Sequence, residues 1–127
     1  MPLTRIHVPN SMPLEQRAVI GDVVYQSMRD VINVPEDDKF QVIIAHDADS
    51  LRMDPTYLGI NRSSAAFIID ITLNAGRTVE AKKRFYADLV GQLVDRAKVR
   101  SEDVLIVLTE VAKENWSFGN GVAQYSQ

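Results

Sequence analysis

The chain has 127 residues, 46% of them hydrophobic and 24% charged, which fits one globular domain with its own core. A net charge of −3 leaves no basic surface for nucleic acid or an anionic membrane, and the lack of cysteine excludes thiol catalysis, thiolate metal sites and disulfides. There is no basic-then-apolar leader and no apolar run long enough to span a bilayer, so a cytoplasmic protein is expected.

Residues 2–8 alternate as a strand does, with Leu3, Arg5 and His7 facing one way and Thr4, Ile6 and Val8 the other. Pro9-Asn10-Ser11 is turn chemistry, and Pro13 suits the first turn of a helix. Leu14, Ile20, Val24, Met28 and Ile32 then form a helical stripe, which Val34-Pro35 closes, because the residue before proline avoids the helical region. After an acidic turn, residues 40–45 form a second strand. Residues 46–64 are irregular and read as a long loop or a short hairpin. Residues 66–73 form a third strand, Asn74-Ala75-Gly76 a turn, and Thr78 a helix cap. The second helix, residues 79–98, has its stripe at Phe85, Leu89, Leu93 and Ala97. Residues 104–109 form a fourth strand, and the tail reads as a hairpin or arm turning at Gly119-Asn120-Gly121. Lys82-Lys83-Arg84 reads as a wet helix face. His7 and His46, the only histidines, lack metal-ligand spacing, so neither a metal nor another cofactor is expected.

An internal repeat organises these elements. Residues 12–44 match residues 77–109 at a constant spacing: Leu14 falls on Val79, Ile20 on Phe85, Val24 on Leu89, Met28 on Leu93 and Asp38 on Asp103. Two β-α-β units in tandem predict an α+β fold, a four-stranded mixed sheet with both helices on one face. The expected organisation is one domain over residues 1–127, with repeats at about 1–62 and 63–114 and an arm at 115–127. The other sheet face, with Ile43, Ile68 and Val107, is expected to be apolar and to be buried in a homo-oligomer.

Pro2 follows the initiator methionine. If Met1 is removed, its nitrogen becomes a secondary amine able to take or donate a proton; with Met1 in place it is a tertiary amide without usable basicity. A proline in this position, two β-α-β units and this length resemble the tautomerase superfamily. That resemblance implies an amino-terminal proline acting as acid or base, and a homotrimer.

A closer resemblance, to the malonate semialdehyde decarboxylase group, is carried by three stretches. They are Val34-Pro35-Glu36-Asp37-Asp38-Lys39-Phe40-Gln41, Gly76-Arg77-Thr78-Val79-Glu80-Ala81-Lys82, and Asn115-Trp116-Ser117-Phe118-Gly119 continuing to Gly121 and Ala123-Gln124-Tyr125. It implies that Asp38 is catalytic beside Pro2, that Arg77 is catalytic and binds the substrate carboxylate, and that Trp116, Phe118 and Tyr125 line the pocket. A second arginine of that group falls on Ala75 here, which puts a doubly clamped carboxylate in question.

A structural reading stands beside each role. Asp38 lies in an acidic turn, Arg77 at a helix start where a cation is disfavoured, and Trp116 and Phe118 could pack a trimer interface. The expected substrate is a small keto or unsaturated carboxylic acid. The expected reaction is keto–enol tautomerisation, hydration or decarboxylation of the malonate semialdehyde kind. The alternative is a non-catalytic trimeric binding or structural member of the same fold.

Overall fold

The computed structural model describes residues 2–127; Met1, and with it the question of its removal, lies outside the described residues. Four strands form one sheet in the order β2-β1-β3-β4. β1 (Leu3–Pro9) buries Thr4, Ile6 and Val8 under the helices. It pairs in parallel with β2 (Gln41–His46), Thr4 opposite Gln41, and antiparallel with β3 (Phe67–Asn74), Leu3 opposite Thr72. β4 (Val104–Val111) runs parallel to β3. Each predicted strand is present, and its limits differ from those expected by no more than a residue or two.

α1 (Leu14–Ile32) begins after Pro13 and ends where Asn33 turns left-handed at φ 60°. The N–H groups of Asn33 and Val34 both bond to the carbonyl of Met28, so the helix ends before Val34-Pro35 through its own C-terminal turn. α2 (Val79–Ala97) is capped by Thr78, whose hydroxyl accepts from the Ala81 N–H at 3.1 Å, and it ends at Lys98, left-handed at φ 58°. The two helices thus start, stop and turn at matching positions of the repeat. Ile20, Val24 and Met28 of α1 and Phe85, Leu89 and Leu93 of α2 pack on Ile6, Val8, Ile69, Ile71 and Leu73 of the sheet. Leu14 departs from its predicted place in the stripe: it is 75% exposed at the first helical position, away from the sheet. Among the described residues, no helix is long and apolar enough to cross a membrane.

The open face is less uniform than expected. Ile43 lies opposite Ile6 and so shares the helix-covered face, half exposed at the edge strand. Ile68 and Val107 do face the open side, with Val42, Ile44 and Leu105. Between them runs a polar stripe. The Arg5 guanidinium donates to the Thr72 hydroxyl, Asp70 lies opposite Arg5, and His7 Nδ1 and His46 Nε2 share a hydrogen bond of 2.8 Å with their rings stacked.

The segment between β2 and β3 is a loop with one short 3-10 turn, Tyr57–Gly59, and no strand among the described residues. Its polar groups are satisfied locally: Asp54 accepts from the N–H groups of Thr56 and Tyr57, and Arg62 donates to the carbonyls of Asp54 and Tyr57. The tail does turn at Gly119-Asn120-Gly121, all at positive φ, but forms an arm and not a hairpin. The Gln124 side chain, rather than a partner strand, takes the Phe118 N–H at 3.0 Å and donates to the Gly119 carbonyl at 2.9 Å.

Asp103, the counterpart of Asp38, is 2% exposed and anchors the chain entering β3. It accepts from the N–H and hydroxyl of Ser63, at 2.7 and 2.6 Å, and from Arg100 at 3.3 Å. Asp103→Ala removes this buried acceptor and leaves the Ser63 N–H and hydroxyl without it, at an expected cost of about 3 kcal/mol of stability, read as a lower urea midpoint.

Candidate active site

The sheet registers decide which residues can meet. Parallel pairing with β2 sets residues 38–40 beside the start of β1, and antiparallel pairing with β3 sets Asn74 to Arg77 at the same end. Pro2 is buried there, in a hollow of about 230 Å³ lined by Pro2, Leu3, Phe40, Trp116, Ser117 and Phe118. A comparable hollow at the opposite end, beside Pro9, Met12 and Lys98, contains Asp103, whose oxygens are already bonded to Ser63 and Arg100.

Asp38 is buried, 9% exposed, and burial raises its carboxyl above the ordinary value of 3.8. The Tyr125 phenol is raised above its ordinary value of 10, first by burial and then by the charge of Asp38, so these two groups lie within electrostatic reach. The raised carboxyl has a consequence for stability. A carboxyl raised in the folded state holds its proton more tightly there than in the unfolded chain. Stability therefore falls as pH rises from the unfolded value through the folded one, and ionised Asp38 weakens the fold above that window. Asp38→Asn is expected to be more stable than the parent at about pH 7 and to lose that advantage on acidification below the ordinary aspartate value. Thermal melts across that range check it.

Arg77 is tied down on two sides. Its Nε and Nη2 donate to the Ile32 carbonyl at 3.3 and 3.1 Å, and Nη1 donates to the Asn74 carbonyl at 3.2 Å. The Ile32 carbonyl belongs to the last turn of α1, where helix carbonyls lack intrahelical partners. Arg77 therefore caps α1 from outside, a role the sequence reading missed. The signal was there: the β3–α2 turn must pass the end of α1 in this topology. Each terminal nitrogen keeps an N–H beyond those bonds, so the guanidinium is oriented yet can still take a carboxylate.

Ala75 is exposed, and its N–H bonds to the Val111 carbonyl at 3.0 Å. Beyond it, Lys82 is held by Glu110, which also accepts from the Gly76 N–H; Lys82 thus leaves the solvated face predicted for it, while Lys83 and Arg84 stay exposed. The hydrogen bond from Lys82 lowers the Glu110 carboxyl.

The aromatic tail packs as a unit. Trp116 and Phe118 stack at 5.3 Å with 15° between planes, and Tyr125 meets Phe118 edge-on at 5.1 Å. Trp116 Nε1 donates to Asn74 Oδ1 at 2.7 Å, a contact that joins the arm to the end of β3. Pro2, Asp38, Arg77, Trp116, Phe118 and Tyr125 thus gather at one end of the sheet. The sequence reading left out Leu3, Phe40 and Ser117, which line the hollow, and Asn74, read only as a turn residue, which bonds to Trp116.

The family model described as tautomerase enzyme matches residues 38–119. The probable tautomerase YusQ of Bacillus subtilis (strain 168) is 39% identical over 124 residues, covering 98% of each chain. The solved structure of FG41 malonate semialdehyde decarboxylase inhibited by 3-bromopropiolate aligns with a TM-score of 0.90 at 38% identity, over 97% of this chain and 93% of that one. Another malonate semialdehyde decarboxylase, described as having decarboxylase and hydratase activities, aligns with a TM-score of 0.89 at 28% identity, over 97% of this chain and 95% of that one. Likeness at more than a third of positions along nearly the whole length, joined to a family match across most of it, means that this chain belongs to the tautomerase enzyme family.

Proposed function

We propose that the chain is an enzyme that uses the amine of Pro2, freed by removal of Met1, as acid or base on a small keto or unsaturated carboxylic acid. The observation that carries this reading is the burial of Pro2 in an aromatic-walled hollow, with the buried carboxyl of Asp38 and the oriented guanidinium of Arg77 at the same end. Arg77 binds the substrate carboxylate. Asp38 stabilises the protonated amine or orients water. Trp116, Phe118 and Tyr125 exclude bulk water, which strengthens each charge interaction inside.

The protonation state of Pro2 selects the reaction. An unperturbed α-amine titrates at about 7.7–8.0; Arg77 and burial favour the neutral form, and Asp38 favours the cation. A neutral amine takes a proton from the carbon beside a carbonyl and returns it elsewhere, which is tautomerisation. A protonated amine polarises the carbonyl of a 3-oxo acid. The bond to the carboxylate then breaks, carbon dioxide leaves, and the electron pair passes into the enolate, which is afterwards protonated. The names of the relatives support each of these: probable tautomerases among the curated ones, a malonate semialdehyde decarboxylase, and another with decarboxylase and hydratase activities.

The same reading makes the chain a homotrimer, with the exposed Val42, Leu105 and Val107 of the open sheet face buried between copies. A second reading, a non-catalytic trimer, draws on Ala75 and on the carbonyls that already occupy part of Arg77. Protein confirmed by intact mass to lack Met1 separates the two. Deuterium incorporation into an enolisable 2-keto acid in heavy water, or carbon dioxide release from malonate semialdehyde, supports the enzyme; neither reaction above the uncatalysed rate leaves the non-catalytic reading.

A further inference from the structure

Asn74 lies at the same end of the sheet as the hollow, and it bonds both to Trp116 of the lining and to Arg77. Its side-chain Oδ1 accepts the indole N–H of Trp116 at 2.7 Å, and its main-chain carbonyl accepts from Arg77 Nη1 at 3.2 Å. The residue is the last of β3, opposite Val111, and the next N–H continues the ladder to the Val111 carbonyl. Its backbone is therefore fixed by the sheet. Trp116 lies in the arm beyond β4, outside any strand or helix. An indole N–H can only donate, and a half-buried one needs an acceptor. The Asn74 amide supplies it.

We infer that Asn74 is a positioning residue for the site proposed above, on which this inference rests. Its side chain sets the plane of Trp116 against Phe118 beside Pro2, and its carbonyl aims the guanidinium of Arg77. The amide acts through Trp116 and not on the substrate. Without it the indole loses its acceptor, turns toward water, and the hollow opens at its aromatic wall.

Trp116 is the only tryptophan in the chain, so intrinsic emission reports this wall alone and needs no substrate. In the full chain, Asn74→Ala is expected to shift Trp116 emission to longer wavelength and to raise its quenching by acrylamide. Asn74→Asp, which keeps the acceptor, is expected to retain the parent's emission. In turnover, Asn74→Ala should lower kcat roughly three- to tenfold, the change that one hydrogen bond of ordinary strength supports, with KM nearly constant. Unchanged emission and quenching in folded Asn74→Ala would overturn the inference. So would altered emission with kcat and KM both intact, or Asn74→Asp emission resembling that of Asn74→Ala.

If circular dichroism shows that Asn74→Ala does not fold, Asn74→Asp and Trp116→Phe carry the test. Parental emission in the first and a kcat loss of the same size in the second support the inference, and the failure of either overturns it. A protein that turns over no keto acid defeats the proposed function and, with it, the positioning role. The emission result then still decides whether the Asn74–Trp116 bond forms.

Discussion

Replacing Pro2 with alanine in protein lacking Met1 is expected to lower kcat by about a hundredfold or more, the usual worth of a positioned acid or base. The substitution leaves an amine at the terminus, so the loss does not come from deleting a titratable group. It comes from geometry. The proline is buried at a hollow it shares with Leu3, Phe40 and the aromatic arm, and its ring fixes the direction in which the nitrogen presents its lone pair or proton. An alanine amine rotates about its own bond and loses the packing that locates it. Retention of Met1 should be more severe, because the nitrogen is then an amide. Intact mass and steady-state rates on the same preparations check both statements. Turnover unchanged in Pro2→Ala would remove Pro2 from the chemistry. The pH profile adds a second reading: because Arg77 and Asp38 push the amine in opposite directions, Asp38→Asn should shift the proline limb toward lower pH.

The second large effect is expected at Arg77. Arg77→Ala should reduce kcat/KM by about a hundredfold or more, since hydrogen bonds to a charged group are worth roughly 1.5–3 kcal/mol each and a carboxylate would lose two. It should also lower stability by about 1–2 kcal/mol, because the Ile32 and Asn74 carbonyls lose their donor. Arg77→Lys is not expected to restore activity. One ammonium cannot hold two carbonyls from different elements and still offer a planar fork to substrate. Urea unfolding and substrate titration separate the two losses. Stability lost with kcat/KM intact would leave Arg77 only its structural task at the end of α1.

The periodic parts of the fold were legible because they obey local rules. The stripe at Phe85, Leu89, Leu93 and Ala97 is buried as read, and Thr78 caps its helix. The misread residues are those whose fate depends on partners remote in sequence. Ile43 sits on the helix side because of its register with Ile6, and strand alternation alone does not say which set faces which layer. His7 and His46, on whose contact the sequence was silent, meet only because β1 and β2 run parallel. The tail could be read as a hairpin or an arm because its Gly-Asn-Gly turn suits both, while the contacts that decide for the arm come from Gln124 and Asn74 side chains, which leave no periodic trace. Pro2 was singled out by the amine it would carry without Met1, and Asp38 and Arg77 became candidates through likeness to a family. Asn74 was not a candidate, since its two hydrogen bonds exist only once the sheet is formed.

The paired aspartates bear on how many active sites one polypeptide can hold. Asp38 and Asp103 occupy matching positions of the two repeats, at opposite ends of one sheet. The counterpart of Pro2 is Phe67, whose nitrogen is a peptide amide inside the chain, and the counterpart of Arg77 is Met12. Two separate half-chains of this design would each begin with a free amine beside an aspartate. Joining them head to tail consumes one of those amines in the connecting peptide, and the vacated end is closed by the grip of Asp103 on Ser63. Joined head to tail, the pattern keeps a terminal amine at one end only, and at that end the second half of the chain supplies Arg77 and the aromatic arm.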